Sequence, residues 1–121
     1  MIINDQLNTR LGTRPGFTAI IPAFNEGKTI IHVVTEVLKT VGALEVIVIN
    51  DGSTDETLSV LAPMQISDSR LRIISHEKNK GKGAALQTGL KKAEQEIILF
   101  LDADLKNISA KIIRLYESAF F

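Results

Sequence analysis

Val46-Ile-Val-Ile-Asn-Asp-Gly-Ser-Thr-Asp55 joins a short, wholly apolar, branched run to a turn of amide, carboxylate, glycine and hydroxyl residues. A run of that kind reads as a strand buried on both faces, because a half-buried strand would alternate apolar with polar residues. The turn opens a helix: Ser53 and Glu56 fit a capping box, and the helix is expected through Leu58 and Leu61 toward Pro63. Strand, polar turn and helix make one unit, and the chain repeats it on both sides.

Upstream, Phe17-Thr-Ala-Ile-Ile21 is another short apolar strand ending at Pro22. Ile30, Val33, Val34, Val37, Leu38 and Val41 then recur at spacings of three and four, one stripe of a helix that Asn25 can cap and Gly42 can end. Downstream, Leu71 to Ser75 is a weaker strand, and Gly81 to Gly83 opens a helix with Leu86, Leu90 and Ala93 on one side. Ile97 to Leu101 is the fourth strand, and the last helix carries Ile108, Ile112, Leu115 and Ala119. Strands alternating with helices of this length imply right-handed crossovers. The fold class is therefore α/β: a doubly wound, mainly parallel sheet of about four strands with helices on both faces.

Such sheets bind ligands beyond the carboxyl ends of their strands, where the strand order reverses. The polar clusters all follow strands: Pro22-Ala-Phe-Asn-Glu26 the first, Asn50 to Asp55 the second, His76-Glu-Lys-Asn-Lys-Gly-Lys-Gly83 the third, and Asp102-Ala-Asp104 the fourth. Every helix also starts on that edge, so its free N–H groups and positive dipole end favour an anionic ligand such as a phosphate.

The bulk composition narrows the alternatives. At 121 residues and 45% hydrophobic the chain is one domain with one modest core: a polar arm over 1–16, then a single unit over 17–121. Fourteen Lys and Arg balance fourteen Asp and Glu, so no overall field draws it to nucleic acid or an anionic membrane. The absence of cysteine excludes disulfides and thiolate chemistry and suits a reducing cytoplasm. The longest apolar run, Ile97 to Leu101, falls far short of the roughly 20 residues a membrane helix needs. The amino terminus also lacks the basic then apolar order of a secretory signal.

Each motif has a plainer reading beside its functional one. Asp102 and Asp104 can hold a divalent cation and a sugar hydroxyl at the mouth of a partly dry site, or they can cap the last helix from a solvated turn. Asp51 can accept a hydrogen bond from a base's ring N–H, or Asp51-Gly-Ser53 can be simple strand-to-helix punctuation. Asn79-Lys-Gly-Lys-Gly83 has the composition of a phosphate cradle, but neither a Walker loop's spacing nor a dinucleotide fingerprint's third glycine. His32 and His76 have no second histidine or cysteine nearby and read as structural or exposed.

Taken in order, Ile20-Ile-Pro-Ala-Phe-Asn-Glu26, Val46 to Asp55, Asn79-Lys-Gly-Lys-Gly-Ala-Ala-Leu86 and Leu99-Phe-Leu-Asp-Ala-Asp-Leu105 resemble the family 2 glycosyltransferases of the GT-A, Rossmann-like fold. The nearest flavour is that of enzymes acting on polyprenyl phosphates, or of glucosyl-3-phosphoglycerate synthase, and the likeness covers about Phe17 to Tyr116. It implies a nucleotide-sugar donor, with uridine favoured as the base, and an Mg²⁺ or Mn²⁺ cofactor. Pro22, Phe24 and Glu26 are implied to line the base and ribose pocket, Asp51 to contact the base, and Lys82 and Gly83 to lie along the nucleotide. Asp102 is implied to touch ribose or sugar and Asp104 to bind the metal. Many relatives carry two aspartates before Gly-Ser where this chain has Asn50 and Asp51. The resemblance further implies inversion at the anomeric carbon, a catalytic base beyond Phe121, and an acceptor such as a lipid phosphate or a small phosphorylated acid. The chain is then the donor-binding front half, inactive or weakly active alone, and it is expected to dimerise through Tyr116, Phe120 and Phe121. The competing readings are a non-catalytic nucleotide-binding subunit and, more remotely, a receiver-like signalling domain, whose acids would follow the first and third strands instead.

Overall fold

The computed structural model describes residues 16–120. The elements follow in the order β1 (Phe17–Ala23), α1 (Ile30–Leu38), β2 (Ala43–Asp51), α2 (Thr57–Ser67), β3 (Leu71–His76), α3 (Lys82–Lys92), β4 (Ile97–Phe100) and α4 (Ile108–Phe120). All strand pairs are parallel, in the spatial order β3-β2-β1-β4. The α/β doubly wound class read from the sequence is the observed one. The expected arm over 1–16 and the aromatic face of Tyr116, Phe120 and Phe121 lie, apart from Gly16 and the backbone of the last helix, outside the described residues.

Branched residues buried on both sides of β1 and β2 divide the core into two layers. Ala19, Ile21, Val46 and Val48 pack against Val33, Val34 and Val37 of α1, Leu61 of α2, and Ile108 and Ile112 of α4. Ile20, Ile47 and Ile49 face the other way, against Ala85 of α3. Each fully buried aliphatic side chain contributes about 1.5–3 kcal/mol. The α3 layer is thin, and its closeness depends on Gly89: a Cβ there would lie 2.5 Å from Ile20 Cγ2.

Because β4 returns to the far side of β1 while α3 crosses the face opposite α1, the strand order reverses beside β1. A ligand crevice is expected beyond the carboxyl ends of the strands at that point.

Several local expectations are corrected. Asn25 does not cap α1. It has φ 54°, the helix begins after Thr29, and the Asn25 amide oxygen instead accepts bonds from Thr54 N (2.8 Å) and Asp55 N (3.2 Å). The Ser53–Glu56 capping box does not form either: Ser53 Oγ accepts from Asn25 N, and Asp55 accepts from Thr57 N at the start of α2. Both would-be caps serve a clamp between two loops, which satisfies more donors than two separate caps would. The first helix ends at Leu38, so Val41 leaves the stripe and is exposed, and Gly42 turns the chain toward β2 instead of closing the helix. The second helix continues past Pro63 to Ser67, because Pro63 is exposed while Met64 beyond it still packs on the core. In α3 the buried line is Ala85 and Gly89, and Leu90 faces solvent.

Candidate functional site

The crevice at the strand ends holds a cleft of about 320 Å³, within the range of small-ligand sites. Pro22, Ala23, Phe24 and Glu26 line it from the end of β1 and its loop, Asp51 from β2, Asn79, Gly81 and Lys82 from the approach to α3, and Asp102, Ala103 and Asp104 from the end of β4. Of the residues singled out in the sequence, Pro22, Phe24, Glu26, Asp51, Lys82, Asp102 and Asp104 thus meet in one place. Gly83 does not join them. It is the second residue of α3 and faces open space, whereas Gly81, two residues earlier, takes the lining position.

Asp51 is 3% exposed and is the most heavily bonded of the lining side chains. Its Oδ1 accepts from His76 Nδ1 (2.7 Å) and Lys80 N (2.9 Å), and its Oδ2 accepts from Gly81 N (2.9 Å). Burial opposes the charge, but these donors outweigh it and hold the carboxyl below its ordinary pKa, so it is an anion at neutral pH. The neighbouring Gly52 has φ 73°, and a Cβ there would lie 2.4 Å from Asn79 N. Only glycine lets the turn after β2 pack flat on the loop that carries Lys80 and Gly81.

Alternation along the end of β4 buries Ala103 and leaves Asp102 and Asp104 exposed on either side of it. Thr29 Oγ1 steadies that turn by donating to the Ala103 carbonyl at 2.9 Å. Lys82 Nζ sits 2.5 Å from Asp102 Oδ1, an ammonium held where a cation would be drawn. Among the described residues no group of three or more His, Cys, Asp or Glu side chains could hold a metal. The donor set present is two carboxylates, one already drawing a cation. It fits an Mg²⁺-type ion that keeps water and takes its remaining oxygens from a bound phosphate, and it does not fit a dedicated protein cage.

Three further residues support the site; sequence reasoning gave no sign of Thr29 and no individual role to Asn79 or His76. Asn79 lines the cleft and donates to the Asp51 carbonyl (3.3 Å). Thr29 reaches Ala103 across 74 residues of sequence. Of the structural and exposed readings of His76, the structural one holds: its side chain is 7% exposed and bridges Asp51 to Thr88 Oγ1 (2.8 Å). These contacts have no local signal, since each partner is supplied by a distant part of the chain. His32 is exposed on α1, as expected.

The model of glycosyl transferase family 2 matches residues 18–119. The chain belongs to glycosyl transferase family 2. It is 36% identical over 99 residues to a dolichyl-phosphate beta-glucosyltransferase of Trichomonas vaginalis, covering 72% of this chain and 28% of that protein. Its fold matches a mannosyltransferase of Pyrobaculum calidifontis in complex with GDP-Man and Mn²⁺, with a TM-score of 0.76 at 23% identity, over 94% of this chain and 38% of that one. It also matches glucosyl-3-phosphoglycerate synthase of Mycobacterium tuberculosis in complex with uridine diphosphate, with a TM-score of 0.63 at 30% identity, over 88% of this chain and 40% of that one. The chain therefore spans between about a quarter and two fifths of the length of these family members. The GT-A architecture anticipated from the four motifs is the one these structures share.

Proposed function

We propose that the cleft binds a nucleotide-sugar donor as a divalent-metal complex, and that this chain is the donor-binding part of a glycosyltransferase. The observation that carries the reading is the convergence of an anionic Asp51 with Lys82, Asp102 and Asp104 in the lining of a single cleft. A buried carboxylate is acceptor-only, so Asp51 selects a base edge bearing a ring N–H, which uracil and guanine both have. Phe24, nearly half exposed beside it, offers an apolar surface to the base. The uridine nucleotide in the mycobacterial synthase, at 30% identity, favours uracil.

The diphosphate would meet Lys82, Asp104 would hold the metal with Asp102 beside it, and Asp102 would exchange its ion pair for a ribose or sugar hydroxyl. The metal, when bound, neutralises charge on the diphosphate as it leaves. The bond from the anomeric carbon to the diphosphate oxygen breaks with its electron pair going to that oxygen. The acceptor oxygen bonds the opposite side of the carbon; a hydroxyl acceptor gives its proton to a base, whereas the oxygen of an ionised phosphate acceptor has none to give. The dolichyl-phosphate enzyme similar to this chain makes a lipid phosphate the first acceptor to try. Among the described residues no helix is long and apolar enough to cross a membrane, so a lipid acceptor would be met at a surface or through other protein parts. Self-association of the chain belongs to the same proposal.

Calorimetric titration of the chain with UDP, GDP and their sugars, with and without Mn²⁺, tests the reading. Metal-dependent binding of a uridine nucleotide is expected, and no binding of any of them would refute it. Release of free nucleoside diphosphate from the sugar nucleotide separates a transferase part from a non-catalytic binding subunit.

A further inference from the structure

From Asp51 in the cleft lining runs a chain of side chains whose other two members, His76 and Thr88, the proposed function leaves unused. Asp51 ends β2, His76 ends β3, and Thr88 lies in the middle of α3. His76 is wedged between the other two, with Nδ1 on Asp51 Oδ1 and Nε2 on Thr88 Oγ1. An ionised carboxylate only accepts, so Nδ1 carries a hydrogen toward Asp51. Thr88 Oγ1 also lies 3.1 Å from the Ala84 carbonyl, so its hydroxyl can turn. Turned to the ring, it donates to Nε2; turned to Ala84, it accepts from an Nε2–H. The Nδ1–H bond to Asp51 is satisfied with the ring in either state.

The consequence for Asp51 is a fixed orientation. Each carboxylate oxygen has two acceptor positions. Oδ1 uses both, on His76 and Lys80 N, whereas Oδ2 uses one, on Gly81 N. The unused position is therefore on Oδ2 of a side chain that lines the cleft. Without His76, Oδ1 would have a vacant position as well, and the carboxylate could turn about its terminal torsion, which is a soft one.

We infer that His76, braced by Thr88, is a positioning residue for base recognition. It occupies Oδ1 so that one acceptor position, on Oδ2, meets the ligand, and the cleft then takes a base with a ring N–H and rejects one whose ring nitrogen is itself an acceptor. The inference rests on the proposal that the cleft binds a nucleotide through Asp51. His76 touches no ligand in this account.

The test compares UDP, CDP and inorganic pyrophosphate, each with Mn²⁺, by titration of the full chain, its H76L, H76N and T88V variants, and with thermal melts of all four proteins. Uracil presents N–H where cytosine presents a bare nitrogen, and a hydrogen bond to a charged group is worth enough to favour UDP at least about tenfold in the wild type. H76L retains bulk without a donor, and its preference is expected to fall to about twofold or less, with pyrophosphate affinity held within about twofold. H76N gives up bulk but places an amide N–H near the position of Nδ1, and it is expected to recover most of the preference. T88V keeps the shape of threonine without its hydroxyl and should lose part of it, about threefold; it carries the test if either histidine variant fails to melt cooperatively. A wild-type UDP preference retained in H76L or, in its place, in T88V overturns the positioning role. So does an equal loss of all three ligands, which would mark His76 as packing alone. Failure of the wild type to bind UDP is a different result: it removes the nucleotide reading itself, and this inference with it.

Discussion

Strand β2 carries a buried carboxylate near each end, and the two have opposite fates. Glu45, 6% exposed, accepts from Thr18 Oγ1 (2.8 Å), Glu94 N (2.9 Å) and Arg72 Nη1 (2.9 Å). Asp51, six positions on by number, accepts from one side chain and two backbone amides. Both point to the face covered by α3 alone, and they fasten the chain at its two ends: Asp51 holds Lys80 and Gly81 before the helix, and Glu45 holds Glu94 after it. The thin apolar layer under α3 is thus supplemented by two charged anchors. Glu45 is closed in by an arginine and lines no described cleft, whereas Asp51 opens on one with an acceptor position to spare. A buried, ionised acid marks a functional site only when something is left over after the fold has been satisfied.

The sharpest way to break this contrast is Asp51→Ala. It leaves His76 and two amides without their acceptor and should cost about 3 kcal/mol in urea denaturation while abolishing UDP binding. Retention of tight UDP binding would put Asp51 on the same footing as Glu45. Glu45→Ala comes next, at about 2 kcal/mol, because Arg72 keeps access to water and the fold loses mainly the Thr18 and Glu94 bonds. Its UDP affinity is expected to stay within about twofold, and a larger loss would mean that the two ends are coupled through α3.

Acid sharpens the same point. Both carboxyls are held below the ordinary range of their residue types by hydrogen bonds that outweigh their burial. Folded-state pKa values that are depressed give stability that is present above the unfolded values and lost as pH falls through the folded ones. Wild-type stability should therefore drop below about pH 4.5, and Glu45→Gln, less stable at neutral pH, should lose less over the same descent.

How much of this was legible in the chain follows from where each partner lies. The strands and the clustering of acids at their ends could be read because they depend on runs of adjacent residues, such as Val46 to Ile49 before Asn50. The helix starts could not. Asn25, Ser53 and Asp55 have the chemistry of local caps, yet the loops after β1 and β2 lie close enough for Asn25 to bond Thr54 and Asp55, and for Asp55 to bond Gly27 N. The same holds for His76, whose two partners stand 25 and 12 residues away on different elements. The resemblance places Gly83 along the nucleotide, but the glycine whose amide reaches Asp51 is Gly81, with φ 95°.

The smallest expected effect lies at the Lys82–Asp102 ion pair in the cleft lining. Lys82 and Asp102 are both more than half exposed, so their ion pair is weak and solvent-screened. Lys82→Ala should tighten binding of Mn²⁺ alone by no more than about fivefold, since it frees Asp102, while weakening UDP in the presence of metal. A loss of Mn²⁺ affinity would show that Lys82 supports the metal site instead of competing for it.

The central claim is that one cleft, at the ends of β1, β2 and β4, receives the nucleotide. The direct measurement is a titration of the ¹⁵N-labelled chain with UDP and Mg²⁺, followed by backbone amide resonances. The account predicts saturable shifts at Lys80, Gly81 and Asp102 to Asp104, with the groove between α1 and α4 lined by His32 and Arg114 left unmoved. Shifts confined to that groove, or none at all, would contradict it.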